Sequence, residues 1–585
     1  MQPIIDPRAG DIEDDAASTK SRKLSAIAGS MLVEISLPKL ITAWVLLIAT
    51  PGLLLGLAPL VAWAWLAQVR DKLAAFSGIG SLLIVALLLV VGLYGVRRVW
   101  RFVERSFWSL HALAVQPVYA LCREGLSQFA ESFLPPEAHE RDRSRRRAAM
   151  AAAAGILACG LAAGIVALAW PHTRWSASWA MLSAPATLIV PALANAVVIS
   201  GIYLLLASIV WGFTDAVMDQ PERMHLFHPD RTGARRWRIA HLSDIHTVGE
   251  RFGFRIESGR SGPQGNERFD AVLARLAEIH AAAPLDQILI TGDMTDAGRA
   301  SEWAEFLDRL GCYPQLAPIA LVLPGNHDLN IADRANPARL ELPTSARKQV
   351  RQMRTLSAME VIQGGQAYVC DRTAGRIGPL LTEVLRPVRA AIETLADTPR
   401  LNRSAELARV WADVFPMVVP PPEHGGLGII LINSNADTNF SFTNALGLVA
   451  ADDISIACKV MDTYPESAWI LALHHHVMEY PMPVKAFSER IATALINGSW
   501  LVRRLRPYAG RVAVMHGHRH IDWIGRIGEL TVVSAPSPVM EARDDQETAF
   551  YVHTMIVGAG GRLELGEPDR VSVTGRDDAA PSAAA

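Results

Sequence analysis

The sequence predicts two parts of different class: an α-helical membrane domain of about four spans, then an α/β domain. Four long apolar runs crowd into residues 40–213. From residue 237, short β-rich apolar runs alternate with amphipathic helical stretches. The bulk numbers agree with a chain of mixed class. It has 585 residues, half of them hydrophobic and only 19% charged, against roughly 25% charged in ordinary soluble proteins. The shortage of charge is confined to the first 213 residues. That places it in a membrane part rather than in one large core.

A span needs about 20 mostly apolar residues. The run 40–69, "LITAWVLLIATPGLLLGLAPLVAWAWLAQV", qualifies and is long enough to be tilted or broken at Pro51. The run 77–96 qualifies, and 148–170 is rich in the small residues that suit close helix packing. The run 184–213 is long and carries Pro191. Lys and Arg set the orientation. They crowd before the first span (Lys20, Arg22, Lys23, Lys39), in the loop 97–147 with its "RDRSRRR", and after the last span in "RTGARRWR". The loops 70–76 and 171–183 carry only Arg70, Lys72 and Arg174. With four spans, every basic segment falls on one side. The expected partner of residues 39–213 is thus a lipid bilayer, of bacterial inner-membrane type. The segment 1–38, the loop 97–147 and everything after the linker 214–236 are expected in the cytoplasm.

The α/β domain is expected over 237–570. Its strands read as "WRIAHLS", "DQILIT", "IALVLP", "GIILIN", "AWILALH", "RVAVMH" and "ELTVVS", with helical stretches between them. Near-continuous apolar strands imply sheets covered on both faces. In such folds sites form beyond the carboxyl ends of strands, and the polar residues fall there. "HLSDIH" (241–246), "TGDMTD" (291–296), "PGNHD" (324–328), "HHH" (474–476) and "HGHRH" (516–520) each follow a strand. An isolated D-x-H means little, but Asp244 and His246 have partners in Asp293, Asn326, His327, His474, His518 and His520. Oxygen and imidazole donors without thiolate suit a pair of divalent ions such as manganese, iron or zinc. Gly292, Gly325 and Gly517 beside them would let the backbone approach the ions.

These five blocks, in this order, resemble the calcineurin-like metallophosphoesterase family, over about residues 237–545. "HHH" and the "GIILINSNAD" before it look most like its cyclic-nucleotide and glycerophosphodiester branch, though Val477 stands where that branch usually has proline. The resemblance implies two packed mixed β-sheets flanked by helices. It implies one ion on Asp244, His246 and His520, another on Asn326, His474 and His518, and Asp293 bridging both. It also implies attack by a metal-activated hydroxide on a phosphodiester or phosphomonoester, an anionic substrate. His327 would contact the phosphate or protonate the leaving oxygen, with Asp328 orienting it. His474 is taken over His475 because it comes directly after the strand. No nucleic-acid polymer is expected as a partner.

The remaining polar residues are expected to do less. For His241, Asp296, Asp328, His476 and His516, a capping or solvated role outweighs direct ligation. His280 reads as surface or packing. Five scattered cysteines without C-x-x-C spacing read as free thiols. The segment 334–426 is expected as a helical insertion. Its part 334–410 holds thirteen Lys plus Arg against seven Asp plus Glu, which suits either a positive cap over an anionic substrate or a solvated decoration. The tail 571–585 is expected to be disordered. Two other function classes fit the sequence less well. A membrane scaffold that binds without turnover conflicts with a complete ligand set. A transporter conflicts with the lack of charge inside the spans.

Overall fold

The computed structural model describes residues 3–5, 41, 44–75, 86, 116–135, 140–228, 235–250, 253–256, 265–332, 339–341, 345–397, 401–423, 425–438, 441–481, 493, 495–540 and 548–573. The chain divides into two compact units. One comprises Met1–Ile35, Asp219–Met482 and Ala492–Ala585, the other Ser36–Met218 and Pro483–Ile491.

In the second unit the long described helices are α1 (Thr50–Ala75), α2 (Gln116–Glu131), α3 (Glu140–Ala169) and α4 (Ile189–Val217). Three segments are long and apolar enough to cross a membrane: Thr50–Arg70, Arg141–His172 and Ala186–Val217. The fourth expected span, 77–96, lies outside the described residues. Pro51 does not interrupt the helical run that begins at Val45. A π-turn over Val45–Ala49, in which the Thr50 amide reaches back to the Val45 carbonyl, leads directly into α1. Proline has no amide and crowds the preceding turn, and a wider turn accommodates both. Small residues let α3 and α4 meet closely. Ala151, Ala154, Ala158 and Ala162 are buried along one stripe, and a Cβ added at Gly212 would lie 2.8 Å from the Gly155 Cα. The basic run has a structural use as well. Arg143 and Arg146 donate to the Pro135 and Ala130 carbonyls, and Arg147 pairs with Glu131 at 2.6 Å. They tie α2 to the start of α3.

The first unit is built on two mixed sheets that share one continuous hydrophobic core. One sheet has six strands. In it β2 (Arg235–Leu242), β3 (Gln287–Ile290) and β4 (Ala320–Val322) run parallel, and β13 (Thr548–Val557) pairs antiparallel with β2. The other has nine strands. Its parallel centre is β8 (Leu427–Leu431), β9 (Ala468–Ala472), β10 (Val512–His516) and β12 (Leu530–Ser534). The full order is β1 (Pro221–Arg223), β11 (Trp523–Ile527), β12, β10, β9, β8, β7 (Met417–Val419), β5 (Tyr368–Asp371) and β6 (Arg376–Leu380). Helices flank the sheets. α5 (Glu267–Ala282) buries Phe269, Val272, Leu273 and Leu276, the i, i+3, i+4, i+7 stripe of an amphipathic helix.

The segment 334–426 is neither a cap nor a solvated decoration over its described length. β5 (Tyr368–Asp371), β6 (Arg376–Leu380) and β7 (Met417–Val419) continue the nine-stranded sheet. The helix Ala346–Gln363 is largely buried. Its polar side chains are used internally: Arg351 holds the Leu329 carbonyl and Glu341, Arg354 the Gly298 carbonyl, and Gln363 the Val322 amide. Two of the charges that suggested a cap, Arg351 and Arg354, bind carbonyls of the loops that follow β4 and β3. Residues 4 and 5 join the same core. Ile4 and Ile5 are each 6% exposed, and the Ile5 amide donates to Ser357 Oγ at 2.9 Å.

Candidate metal centre

Five strand ends converge. Asp244 and His246 follow β2, Asp293 follows β3, and Asn326 and His327 open a short turn of helix after β4. His474 follows β9, and His518 and His520 follow β10. Three donor groups result, each with its ligand atoms within 4.8 Å: Asp244, His246, His520; His246, Asp293, His327; and Asp293, His474, His518. Asn326 completes the last, its Oδ1 3.1 Å from His474 Nε2. His474 Nε2 also lies 3.3 Å from Asp293 Oδ2 and 3.2 Å from His518 Nδ1. On the other side His520 Nε2 is 3.3 Å from Asp244 Oδ1, and His246 Nε2 is 3.7 Å from Asp293 Oδ2. Asp293 thus stands between the two sets.

The backbone is bent to make this arrangement. Among the described residues, the non-glycine residues with positive φ are Asp244, His246, Asp293, His518 and His520. Left-handed backbone costs an L-residue roughly 1–2 kcal/mol, and such strain clusters at functional sites. Gly325 is required by close approach, since a Cβ there would stand 2.1 Å from Asp293 Oδ1. Several donors point inward with nothing to bond: Asp244 Oδ1, His246 Nε2 and Asn326 Nδ2 are buried without a hydrogen-bond partner. Buried polar atoms in native proteins are nearly always satisfied. The carboxylate oxygen of Asp244 and the imidazole nitrogen of His246 fit the donor set of a divalent cation, as does Asn326 Oδ1 beside His474.

Electrostatics follow from burial and charge. Burial works to raise the Asp293 carboxyl, but His474, then His327 and His246, hold it well below the usual range. Burial works to lower His474, but Asp293 and Asp244 outweigh it and leave it raised to about 9. His518 and His475 are pushed well below 6.5 by burial and then by neighbouring histidines, so they remain neutral bases.

The three histidines of "HHH" separate. His474 enters the cluster, with its Nδ1 2.7 Å from the Thr291 carbonyl, which leaves Nε2 for the centre. His475 turns to Ser434 Oγ and His476 to Glu479. The expectation for Asp328 needs correction. Its carboxylate accepts from Thr295 N, Thr295 Oγ1 and Gly325 N, clamping two ligand loops together. His327 instead places Nδ1 2.7 Å from the Asp296 carbonyl. Nor are His241, His476 and His516 solvated; all three are buried. His280 does pack locally, with Nδ1 accepting the Leu285 amide. Sequence reasoning missed Ser434, whose Oγ accepts the amides of both His474 and His475. A serine in a loop gives no signal of that kind. The Thr291 carbonyl is equally invisible to a reading of side chains.

This geometry gathers the donors of a candidate metal centre, and comparison with known proteins gives the class of protein. Residues 238–440 match the family described as Calcineurin-like phosphoesterase. The chain therefore carries a calcineurin-like phosphoesterase domain, and it is a metal-dependent phosphoesterase. No curated protein matches the sequence. Among solved structures it is similar to a dimetal phosphatase from Danio rerio, at 11% identity and a TM-score of 0.33, over 58% of this chain and 99% of that one. It is also similar to the calcineurin-like phosphoesterase YfkN from Bacillus subtilis, at 12% identity and a TM-score of 0.27, over 58% and 93%. A purple acid phosphatase from yellow lupin seeds is similar at 12% identity and a TM-score of 0.25, over 60% and 57%.

Proposed function

We propose that the protein is a membrane-anchored dinuclear-metal phosphoesterase that hydrolyses phosphodiesters or phosphomonoesters on the cytoplasmic side. The observation that carries the dinuclear centre is the coincidence of strain and ligands: the positive-φ residues named above are all among the expected ligands. In this reading Asp244, His246 and His520 hold one ion, Asn326, His474 and His518 the other, and Asp293 bridges them. Two bound ions would activate the attacking water and offset the charge of the phosphate. Asp293 accepts the His327 amide on Oδ1, and its Oδ2 faces His246 and His474, one from each ligand set that would hold an ion. With Nδ1 held by a carbonyl, His327 has Nε2 for the substrate, where it donates a proton to the leaving oxygen. Asp328 supports this site as a clamp rather than as His327's partner.

Two observations support the anchor. The span helices carry exposed apolar side chains such as Ile156, Leu168 and Leu206, up to 79% exposed, which suit lipid better than water. Residues 4 and 5 share a core with the phosphoesterase domain, which supports a reading in which both lie on one side of a bilayer. That requires an even number of crossings between them, and the three apolar helices together with the run 77–96 make four. The basic loops then put that side in the cytoplasm.

Full-length protein in detergent, loaded with Mn²⁺, Fe²⁺ or Zn²⁺, should hydrolyse members of a panel of aryl and alkyl phosphodiesters and monoesters. Asp293→Ala should abolish turnover and bring metal content towards zero. A variant that keeps two ions per chain and normal rates would sink the bridging assignment.

A further inference from the structure

Asp296 closes the "TGDMTD" block and is 3% exposed. Its Oδ2 accepts the Ile256 amide at 2.6 Å. Its Oδ1 and His246 Nδ1 are both buried without a hydrogen-bond partner, and they face each other at 3.3 Å. Its main-chain carbonyl meets His327 Nδ1. One residue therefore stands behind two imidazoles, and the Nε2 of one of them, His246, is left for the cluster. We infer that Asp296 is a positioning residue, whose carboxylate fixes the tautomer and ring orientation of His246 and so sets the affinity of the ion held by Asp244, His246 and His520.

The inference rests on the ligand reading above and deepens it. A ligating imidazole must offer a lone pair, so its other nitrogen must carry the proton and donate it. Asp296 Oδ1 is the acceptor placed to receive it. Partners of this kind typically contribute about 10–100-fold in metal affinity. Nearby Glu302 adds little competing charge. Burial, and next the charge of Asp296, push its carboxyl up to about 8, so it is largely protonated at neutral pH. The effect should also be one-sided. His474, in the other ligand set, is oriented by the Thr291 carbonyl, which a change at Asp296 does not touch. The carbonyl behind His327 should survive a side-chain substitution too, because the Asp296 amide is fixed to the Thr247 carbonyl and Thr295 bridges Thr247.

Asp296→Asn is the informative variant. Ile256 N–H claims the one oxygen of the amide, so the –NH₂ faces His246 Nδ1. His246 must then accept at Nδ1 and carry its proton on Nε2, where the ion should bind. Mn²⁺ titration of metal-free full-length protein, read by metal content and by the electron paramagnetic resonance signal of coupled ions, tests this. The first ion should bind as in the parent. The second should bind about 10–100-fold more weakly, and the coupled signal should appear only at correspondingly higher Mn²⁺. Asp296→Ala should behave in the same way. Parent-like binding of both ions would overturn the inference, and so would equal weakening of both, which would indicate a general structural role. His246→Ala separates the two readings. If it retains both ions with parental affinity, the ligand assignment itself fails, and the role of Asp296 falls with it.

Discussion

Removing the metals should cost the phosphoesterase domain a measurable part of its stability. Five residues are held at left-handed φ, at roughly 1–2 kcal/mol each, so the ligand loops store about 5–10 kcal/mol. Buried donors without partners add to this strain. Two ions, each present at about 100 times its dissociation constant, return about 2.7 kcal/mol apiece, or about 5 kcal/mol together. For a domain of this size 1 kcal/mol shifts Tm by roughly 2 °C. Chelation should therefore lower the unfolding transition by about 10 °C, and added Mn²⁺ should restore it. Scanning calorimetry on the full-length protein in detergent, with and without chelator, measures the shift. Asp293→Ala serves as the control and should melt low whether or not Mn²⁺ is present. The reasoning fails if chelation removes the ions and leaves the transition unmoved, for then the bent loops are stable by packing alone.

Three further outcomes are expected. His327→Ala should keep most of its metal and lose about 10²–10⁴-fold in rate on an alkyl phosphodiester, but far less on a p-nitrophenyl one, whose leaving group needs no proton; equal losses on both would point to phosphate positioning instead. His474, raised to about 9 in the metal-free protein, should give up about one proton when an ion binds near pH 7 and almost none above pH 10, as calorimetry in buffers of different ionisation enthalpy would show. Because its folded value lies above the unfolded 6.5, its stabilisation of the metal-free protein is full below pH 6.5 and is lost as pH rises through 9; rising metal-free stability over that range would contradict the assignment. In intact cells of a cysteine-free background, single cysteines at Ala74 and Ser176 should react with an impermeant thiol reagent, whereas those at Gln2 and Ser258 should not, and different labelling of Gln2 and Ser258 would break the even-crossing argument.

The sequence by itself determined the features that depend on short stretches of chain. Apolar runs of span length, basic loops and alternating strands and helices are local patterns. The block residues were legible because parallel strands deliver their carboxyl ends to one rim whatever the detailed packing. Placing His474 ahead of His475 needed only the position directly after a strand. Tertiary structure decided whatever depends on partners distant in the chain. Asp328 looked like a companion of His327 because it is adjacent in sequence, yet its carboxylate turns to Thr295 and Gly325. The segment 334–426 looked like an addition because its helices are rich in charge. Arg351 and Arg354 are buried because carbonyls at Leu329 and Gly298 wait for them, and no local pattern announces that. Asp296, Thr291 and Ser434 act through contacts with chain as much as 183 residues away, two of them through a main-chain carbonyl. Every residue type has that carbonyl, so only the fold can show which one orients a histidine.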